Sequence, residues 1–454
     1  MLIKVEECMT AKILGPKLLS LLLLNILMLG AGVVAPLSHA EVSTKTVWPV
    51  SVATEGFSSG QRAQVLNQYA PAKLAAGENQ ALYSYLHMAE FFPHHILARS
   101  GKIKELRSNI VSNLGEVKAE TALGELSLNE LLVHPSSRVQ GILVLHKGNV
   151  AFERYPGMRT TDSHLWWSIA KLFAGLSIEI LMDEGKIDGS RDIADYLPEF
   201  KQSAWSGVSV ESVLNMASGM DALDSPQAYA DPNSGIGGLI YAEGILSSPT
   251  HTPLGHNQAL SNIPRLQTPG RVYQYSSANT NMLALLIERV SGKPYAEFIE
   301  DRIWSRIGAE GDGLMGLSPD GRAIAHGMYS SRLRDLGRFG LLFTPTGYNA
   351  SVFSPQLMSR ISRTQENKHY QNAVEAAKRA GNLLGEKPVN ALAQWDALFA
   401  DGDLFKSGFD GQALYISPAR DVVIAVFSTS KDKSIYRYLR EIASQFPIQK
   451  KSKN

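Results

Sequence analysis

The stretch DSHLWWSIAKLFAGL, residues 162–176, places Ser168 three positions before Lys171 at the head of an apolar run. From residue 169 to 182 the chain is apolar on nearly every helical face, and Gly185 is placed to end the run. A helix that is apolar all round belongs inside a protein. The pattern therefore predicts a buried helix with Ser168 at its start. Residues three apart on a helix share a side, with Cβ atoms about 5–6 Å apart. A serine hydroxyl becomes a nucleophile only when a neighbour takes its proton. A desolvated lysine can be that neighbour, because burial lowers its pKa. Trp166, Trp167 and Leu172 supply apolar surroundings, and the start of a helix favours developing negative charge. The same spacing also describes a capping serine and a snorkelling lysine, so other segments must decide between the two.

Upstream, VQGILVLHKGNVAFERY reads as a hairpin, with β-rich runs at 139–145 and 150–155 around His146-Lys147-Gly148-Asn149. At the other end, FKSGFDGQALYISP and DVVIAVFST flank the turn Pro418-Ala419-Arg420. Ile435, Leu439, Ile442 and Phe446 then recur at helical spacing. Between these ends, residues 187 to about 400 read mostly as helical segments and loops. GVSVESVLNMASGM is a capped helix ending at Gly219, and SSANTNMLALLIERVSG is one closed by Gly292. Strands at both ends with helices between predict an α/β sandwich. Its antiparallel sheet comes from about 137–160 and 403–446, with a helical region beside it. The glycine-rich residues 233–238 follow no predicted strand, so they read as a flexible loop rather than a phosphate cradle. His251 and His256 lack an acidic neighbour and read as surface histidines. His94 and His95, being adjacent, point apart and make no metal site.

The chain has 454 residues and a net charge of +1, which gives no electrostatic case for nucleic acid or an anionic membrane. Lys12 and Lys17 precede an apolar stretch over 18–35, and Ser38-His39-Ala40 follows. Residues 1–40 therefore read as a secretory signal peptide, with an uncleaved membrane anchor as the alternative. The single cysteine, Cys8, falls within that segment. The remaining chain has no disulfide and no thiolate nucleophile or metal site. Export without disulfides suits a bacterial periplasm. Residues 41–130 carry no motif and read as an N-terminal extension packed on a main domain, 131–447. No cofactor or metal is expected, and the sequence does not specify an oligomeric state.

Two later segments bear on Ser168. In YQYSSANTNML, Tyr275 precedes a helix and can project into a cleft. Beside two cationic lysines its pKa would fall, and it could shuttle a proton. Lys406-Ser407-Gly408 lies on a predicted strand, followed by Phe409-Asp410-Gly411-Gln412. Gly408 allows a substrate close approach to the strand, whose N–H groups can hold an oxyanion. Lys406 is read either as repelling the charge on Lys171, as binding a substrate carboxylate, or as an exposed edge lysine.

Taken in order, these motifs resemble the penicillin-recognising, β-lactamase-like serine hydrolases with S-x-x-K, Y-x-N and K-T-G. Over roughly 130–445 the chain is most similar to the branch of 6-aminohexanoate-dimer hydrolases and carboxylesterases. FERYPGM, YLPEF, SVESVLNM, YQYSSANTNMLALLIERVSG and SGFDGQALYISP carry that likeness. The resemblance implies a β-lactamase/transpeptidase-like fold and a small ester or amide substrate. It implies Ser168 as nucleophile, Lys171 and Tyr275 as proton-transfer groups, and the backbone N–H groups of Ser168 and Phe409 as oxyanion hole. Which of Lys171 and Tyr275 takes the first proton stays open. Lys406, Ser407, Gly408, Tyr229 and Ser277 are the implied substrate-binding positions. Ser277 stands where the lactamases have asparagine, which weakens a β-lactam reading. Lys406-Ser407-Gly408 is nearer K-T-G than the branch usually is, which keeps β-lactamase and D-alanyl-D-alanine peptidase activity as alternatives. A binding module on the same fold, without catalysis, is the third.

Overall fold

The computed structural model describes residues 47–69, 77–247, 252–362, 368–371 and 373–449. The signal segment and His251 lie outside them. The main sheet has six strands: β1 (Val139–His146), β2 (Asn149–Arg154), β3 (Ala397–Leu398), β4 (Leu404–Ser407), β5 (Ala413–Ser417) and β6 (Val422–Ser428). Their order is β2-β1-β6-β5-β4-β3, antiparallel throughout. The sheet closes where β6 pairs with β1, from Val422 opposite His146 to Phe427 opposite Gly141. Two ends of the chain thus form one sheet, as the strand pattern predicts.

Strand side chains alternate between faces, and in β6 both faces are buried. Four helices matter for the site: α1 (Lys171–Asp183), α2 (Ser277–Ser291), α3 (Leu333–Leu341) and α4 (Arg437–Ser444). Val422, Ile424 and Val426 pack with Leu439 and Ile442 of α4. Val423, Ala425 and Phe427 pack with Leu336 and Phe339 of α3, in the cluster that also takes α1 and α2. The result is a sheet between helical layers, with α1 buried in the larger one.

A second sheet escaped the sequence reading. His94–Leu97, Gly313–Gly316, Tyr329–Ser331 and His164–Leu165 form four short strands. Residues 187–400 are therefore not only helices and loops. Strands this short carry too little alternation to be read locally. The segment before residue 130 joins this core: Leu165 donates its N–H to the Tyr85 carbonyl at 2.8 Å, and the Tyr85 hydroxyl donates to Asp410 at 2.9 Å.

Three local readings need correction. The glycine-rich stretch is the first turn of a helix, Gly235–Ala242, because the Ser234 side chain caps it by accepting from the Gly237 N–H. Burial of Ile236, Leu239 and Ile240 then outweighs the cost of the glycines. The helix in GVSVESVLNMASGM spans only Val210–Leu214, and Met216 leaves helical geometry at φ 57°. The buried helix after Ser168 begins at Lys171, preceded by a 3₁₀ turn, Trp167–Ala170. Among the described residues, no helix is long and apolar enough to cross a membrane.

Candidate active site

Ser168 sits in that 3₁₀ turn, directly after Trp167, whose φ of 51° is unusual for a bulky residue. Non-glycine residues at positive φ mark local strain, and such strain gathers at functional sites. The turn is held from behind by Trp166, whose N–H donates to the Tyr329 carbonyl at 2.7 Å and whose indole donates to Ser331 at 2.9 Å.

Lys171 is fully buried. Its Nζ donates to Ser168 Oγ at 3.1 Å, to Ser277 Oγ at 3.0 Å and to the His326 carbonyl at 2.8 Å. An ammonium has three protons to give, and all three have acceptors. Burial brings the Lys171 pKa from its ordinary 10.5 down to about 7. Asp224 opposes that fall, Lys406 adds to it, and Asp396 and Glu243 oppose it. Repulsion from Lys406 was one of the sequence readings.

Tyr275 lies at the start of α2, with both lysines against its ring: Nζ of Lys171 at 5.1 Å and of Lys406 at 4.8 Å from the centroid. Lys406 Nζ also donates to its hydroxyl at 3.3 Å. The expected fall in its pKa is nevertheless wrong. Dense packing raises it well above 10, Asp396 and Asp224 raise it further, and Ser168 is near enough to oppose the rise. Tyr275 therefore keeps its proton where Lys171 has begun to lose its own.

The third segment meets the turn that carries Ser168. A Cβ on Gly408 would stand 2.5 Å from the Trp166 carbonyl oxygen and 2.7 Å from Gln412 Cβ. Only glycine lets β4 lie this close to the Ser168 turn. The ring of Phe409 lies 5.4 Å from that of Trp167. In Gly408→Ala the strand must shift away from Ser168. We expect roughly a 100-fold loss of kcat/KM on a short ester, since a displacement near 1 Å can cost that much. Steady-state kinetics with circular dichroism as a folding check measures it, and unchanged kinetics would show that this approach is unimportant.

Several of the implied substrate-binding residues make contacts that the sequence did not announce. Ser277 passes the Lys171 contact onward: its hydroxyl donates to Asp224 at 2.6 Å, and its N–H donates to the same carboxylate at 2.9 Å. Burial, and then the nearby Asp224 carboxylate, hold the Tyr229 phenol well above its ordinary pKa, against a smaller opposing effect of Ser277. Lys406 is buried, not an exposed edge lysine, and Ser407 bonds to Asp396. His256 is 2% exposed and faces buried Glu243 at 3.6 Å, so the surface reading fails. Glu243 also accepts from Asn281 at 2.5 Å and lies 2.8 Å from His326 Nε2. Its pKa stands near 2: burial alone would raise it, but the two histidines overcome that.

Asp224, Asp396 and Glu243 were absent from the sequence-derived site. Asp396 and Glu243 had one signal, a lone carboxylate in an apolar setting, as in WDALF (395–399) and GLIYAEG (238–244); Asp224, in DALDSPQ, had none.

The Beta-lactamase family profile matches residues 134–443. The chain belongs to that family. It is a serine hydrolase of the β-lactamase and penicillin-binding superfamily. Among curated proteins, this family member is 28% identical over 294 residues to the 6-aminohexanoate-dimer hydrolase of Paenarthrobacter ureafaciens, covering 64% of this chain and 72% of that one. An Escherichia coli strain K12 protein described as a D-alanyl-D-alanine carboxypeptidase is 24% identical, over 42% of this chain and 44% of that one. A Bacillus anthracis structure described as a 6-aminohexanoate-dimer hydrolase superposes with a TM-score of 0.69 at 24% identity, covering 81% of this chain and 93% of the other. EstCE1, a hydrolase with promiscuous acyltransferase activity, superposes at 0.51 with 13% identity, over 67% and 93%. These superpositions give the expected fold, a β-lactamase/transpeptidase-like α/β architecture.

Proposed function

We propose that the protein is an exported hydrolase of a small ester or linear amide, acting through an acyl-enzyme on Ser168. The observation that carries this reading is the Lys171 Nζ to Ser168 Oγ contact of 3.1 Å, made by a lysine whose pKa is near 7. At that pH roughly half of such a group is neutral and able to accept a proton. Neutral Lys171 takes the Ser168 proton as Oγ bonds to the substrate carbonyl carbon. The oxyanion rests against the N–H groups of Ser168 and Phe409. Collapse breaks the C–O or C–N bond, and the leaving group receives the proton through Tyr275, which stays protonated. Water then attacks the acyl carbon, giving a proton to Lys171, which returns it to Ser168 Oγ as the acyl C–Oγ bond breaks and the acid leaves. Relatedness to the Paenarthrobacter enzyme supports amides among the substrates. The basic, apolar and small-residue succession over 1–40 supports export.

The test is labelling with a fluorophosphonate probe followed by peptide mapping. Labelling at Ser168 is expected. Absence of labelling in folded protein would favour the non-catalytic binding module.

A pH profile follows from the same lysine. In the free enzyme, protonated Lys171 cannot accept the serine proton, so kcat/KM should rise tenfold per unit below about pH 7 and level off above it. Asp224 favours the charged lysine, so Asp224→Asn should move this limb to lower pH. A flat profile from pH 5 to 9 would remove Lys171 as the base.

A further inference from the structure

The third motif supplies a cation and a hydroxyl that could both receive an anionic substrate group. In this protein both are taken by one carboxylate. Lys406 Nζ donates to Asp396 Oδ1 at 2.5 Å, while Ser407 donates its N–H at 2.8 Å and its hydroxyl at 2.5 Å to Asp396 Oδ2. Both oxygens of Asp396 are thus engaged by the motif itself. Lys406 is 0% exposed and the Asp396 side chain only 15%. A buried ion pair resists exchange, because breaking it leaves one charge desolvated and alone.

Asp396 arrives from a separate segment, and the packing explains how it is held. A Cβ on Gly175 of α1 would lie 2.2 Å from the Ala393 carbonyl oxygen, so glycine there lets the 393–396 segment press against the helix. Ala393 donates its N–H to Asn215 at 2.9 Å, and Gln394 donates to the Leu214 carbonyl at 2.8 Å. Asp396 itself donates its N–H to the Phe405 carbonyl at 3.0 Å. The carboxylate is fixed by its backbone rather than swung in by a loose side chain.

The charge around the reacting centre points the same way. When Lys171 is neutral and reactive, and Tyr275 is protonated, Lys406 remains the cation bonded to Asp396 and near Asp224. Glu243, behind Lys171, is paired with His326 and Asn281. An incoming carboxylate would meet a site with excess negative charge, and no hydroxyl of the motif turned toward it. Desolvating a charge without a partner is costly.

We infer that Asp396 is a specificity-determining residue: by occupying Lys406 and Ser407 it makes the site refuse substrates with a carboxylate on the leaving-group side and accept neutral ones. This rests on the serine-hydrolase reading above. It also separates the protein from a β-lactamase or D-alanyl peptidase, and equally from cleavage of a free 6-aminohexanoate dimer, since the leaving amine in each case bears a carboxylate.

A matched pair of aryl esters tests it, identical except that the phenol leaving group carries a meta-carboxylate or its methyl ester. The wild-type protein should hydrolyse the methyl ester with at least tenfold higher kcat/KM than the free acid. Asp396→Asn, which keeps shape and removes charge, should shift that ratio at least tenfold toward the acid. A structural defect alone would lower both rates and leave the ratio in place. Wild-type preference for the acid would overturn the inference, as would an unchanged ratio in a folded Asp396→Asn protein that still labels with fluorophosphonate. If Asp396→Asn does not fold, the wild-type ratio decides alone. Failure of labelling and of both ester hydrolyses would instead sink the serine-hydrolase reading.

Discussion

Ser168→Ala should abolish fluorophosphonate labelling and lower kcat/KM on a short ester by roughly 10⁴- to 10⁶-fold, in the range found when a serine nucleophile is removed from a hydrolase. The fold should survive. Ser168 is only partly buried, and its neighbours Trp166, Ile169 and Ala170 anchor the turn. The Lys171 ammonium loses one of its three acceptors but keeps Ser277 and the His326 carbonyl. Circular dichroism and a melting temperature within a few degrees of the parent would show that activity, not structure, was lost. Retention of more than about a tenth of the ester rate would mean that another group is the nucleophile.

Lys171→Met should cost about 10²- to 10⁴-fold in kcat, the usual contribution of a positioned proton acceptor. Its effect on stability has a defined sign. The folded pKa of Lys171, near 7, lies below the ordinary 10.5. The folded state therefore binds fewer protons than the unfolded chain between those values, and the lysine weakens the fold increasingly as pH falls through that window. Below about pH 7 the penalty is complete, and above about 10.5 it is absent. Denaturant unfolding should show Lys171→Met gaining on the wild type as pH drops from 10.5 to 7, whatever the constant offset from removing the lysine charge near Asp224. A stability difference independent of pH would mean that Lys171 titrates normally. Together the two variants separate nucleophile from base: the serine change removes labelling outright, while the lysine change slows it and flattens the acid limb of the pH profile.

Much of this was legible along the chain. The hairpin, the C-terminal strands, the helix closed by Gly292 and the buried run after Ser168 are written in local periodicity. Periodicity survives because each element buries the face its own residues define. The spacing of Ser168 and Lys171 offered a pair that only the further motifs, Tyr275 and the 406–409 segment, marked as catalytic rather than a cap and a snorkelling lysine. The short strands of the second sheet were not legible, since two to four residues carry no pattern. His256 was misplaced for a related reason. Its acidic partner, Glu243, lies on another helix, and nothing local announces that meeting.

By itself, the sequence determined the longer elements and their order, and it singled out Ser168 and Lys171 as the candidate nucleophile and base. Tertiary structure alone decided the protonation states and the fate of the third motif. Asp224 reaches Ser277 from 53 residues away, and Asp396 reaches Ser407 by way of a loop seated against Gly175. A pKa depends on burial and on charges within a few ångströms, whatever their place in the chain. That is why Lys171 fell, Tyr275 rose, and Lys406 proved to be already paired.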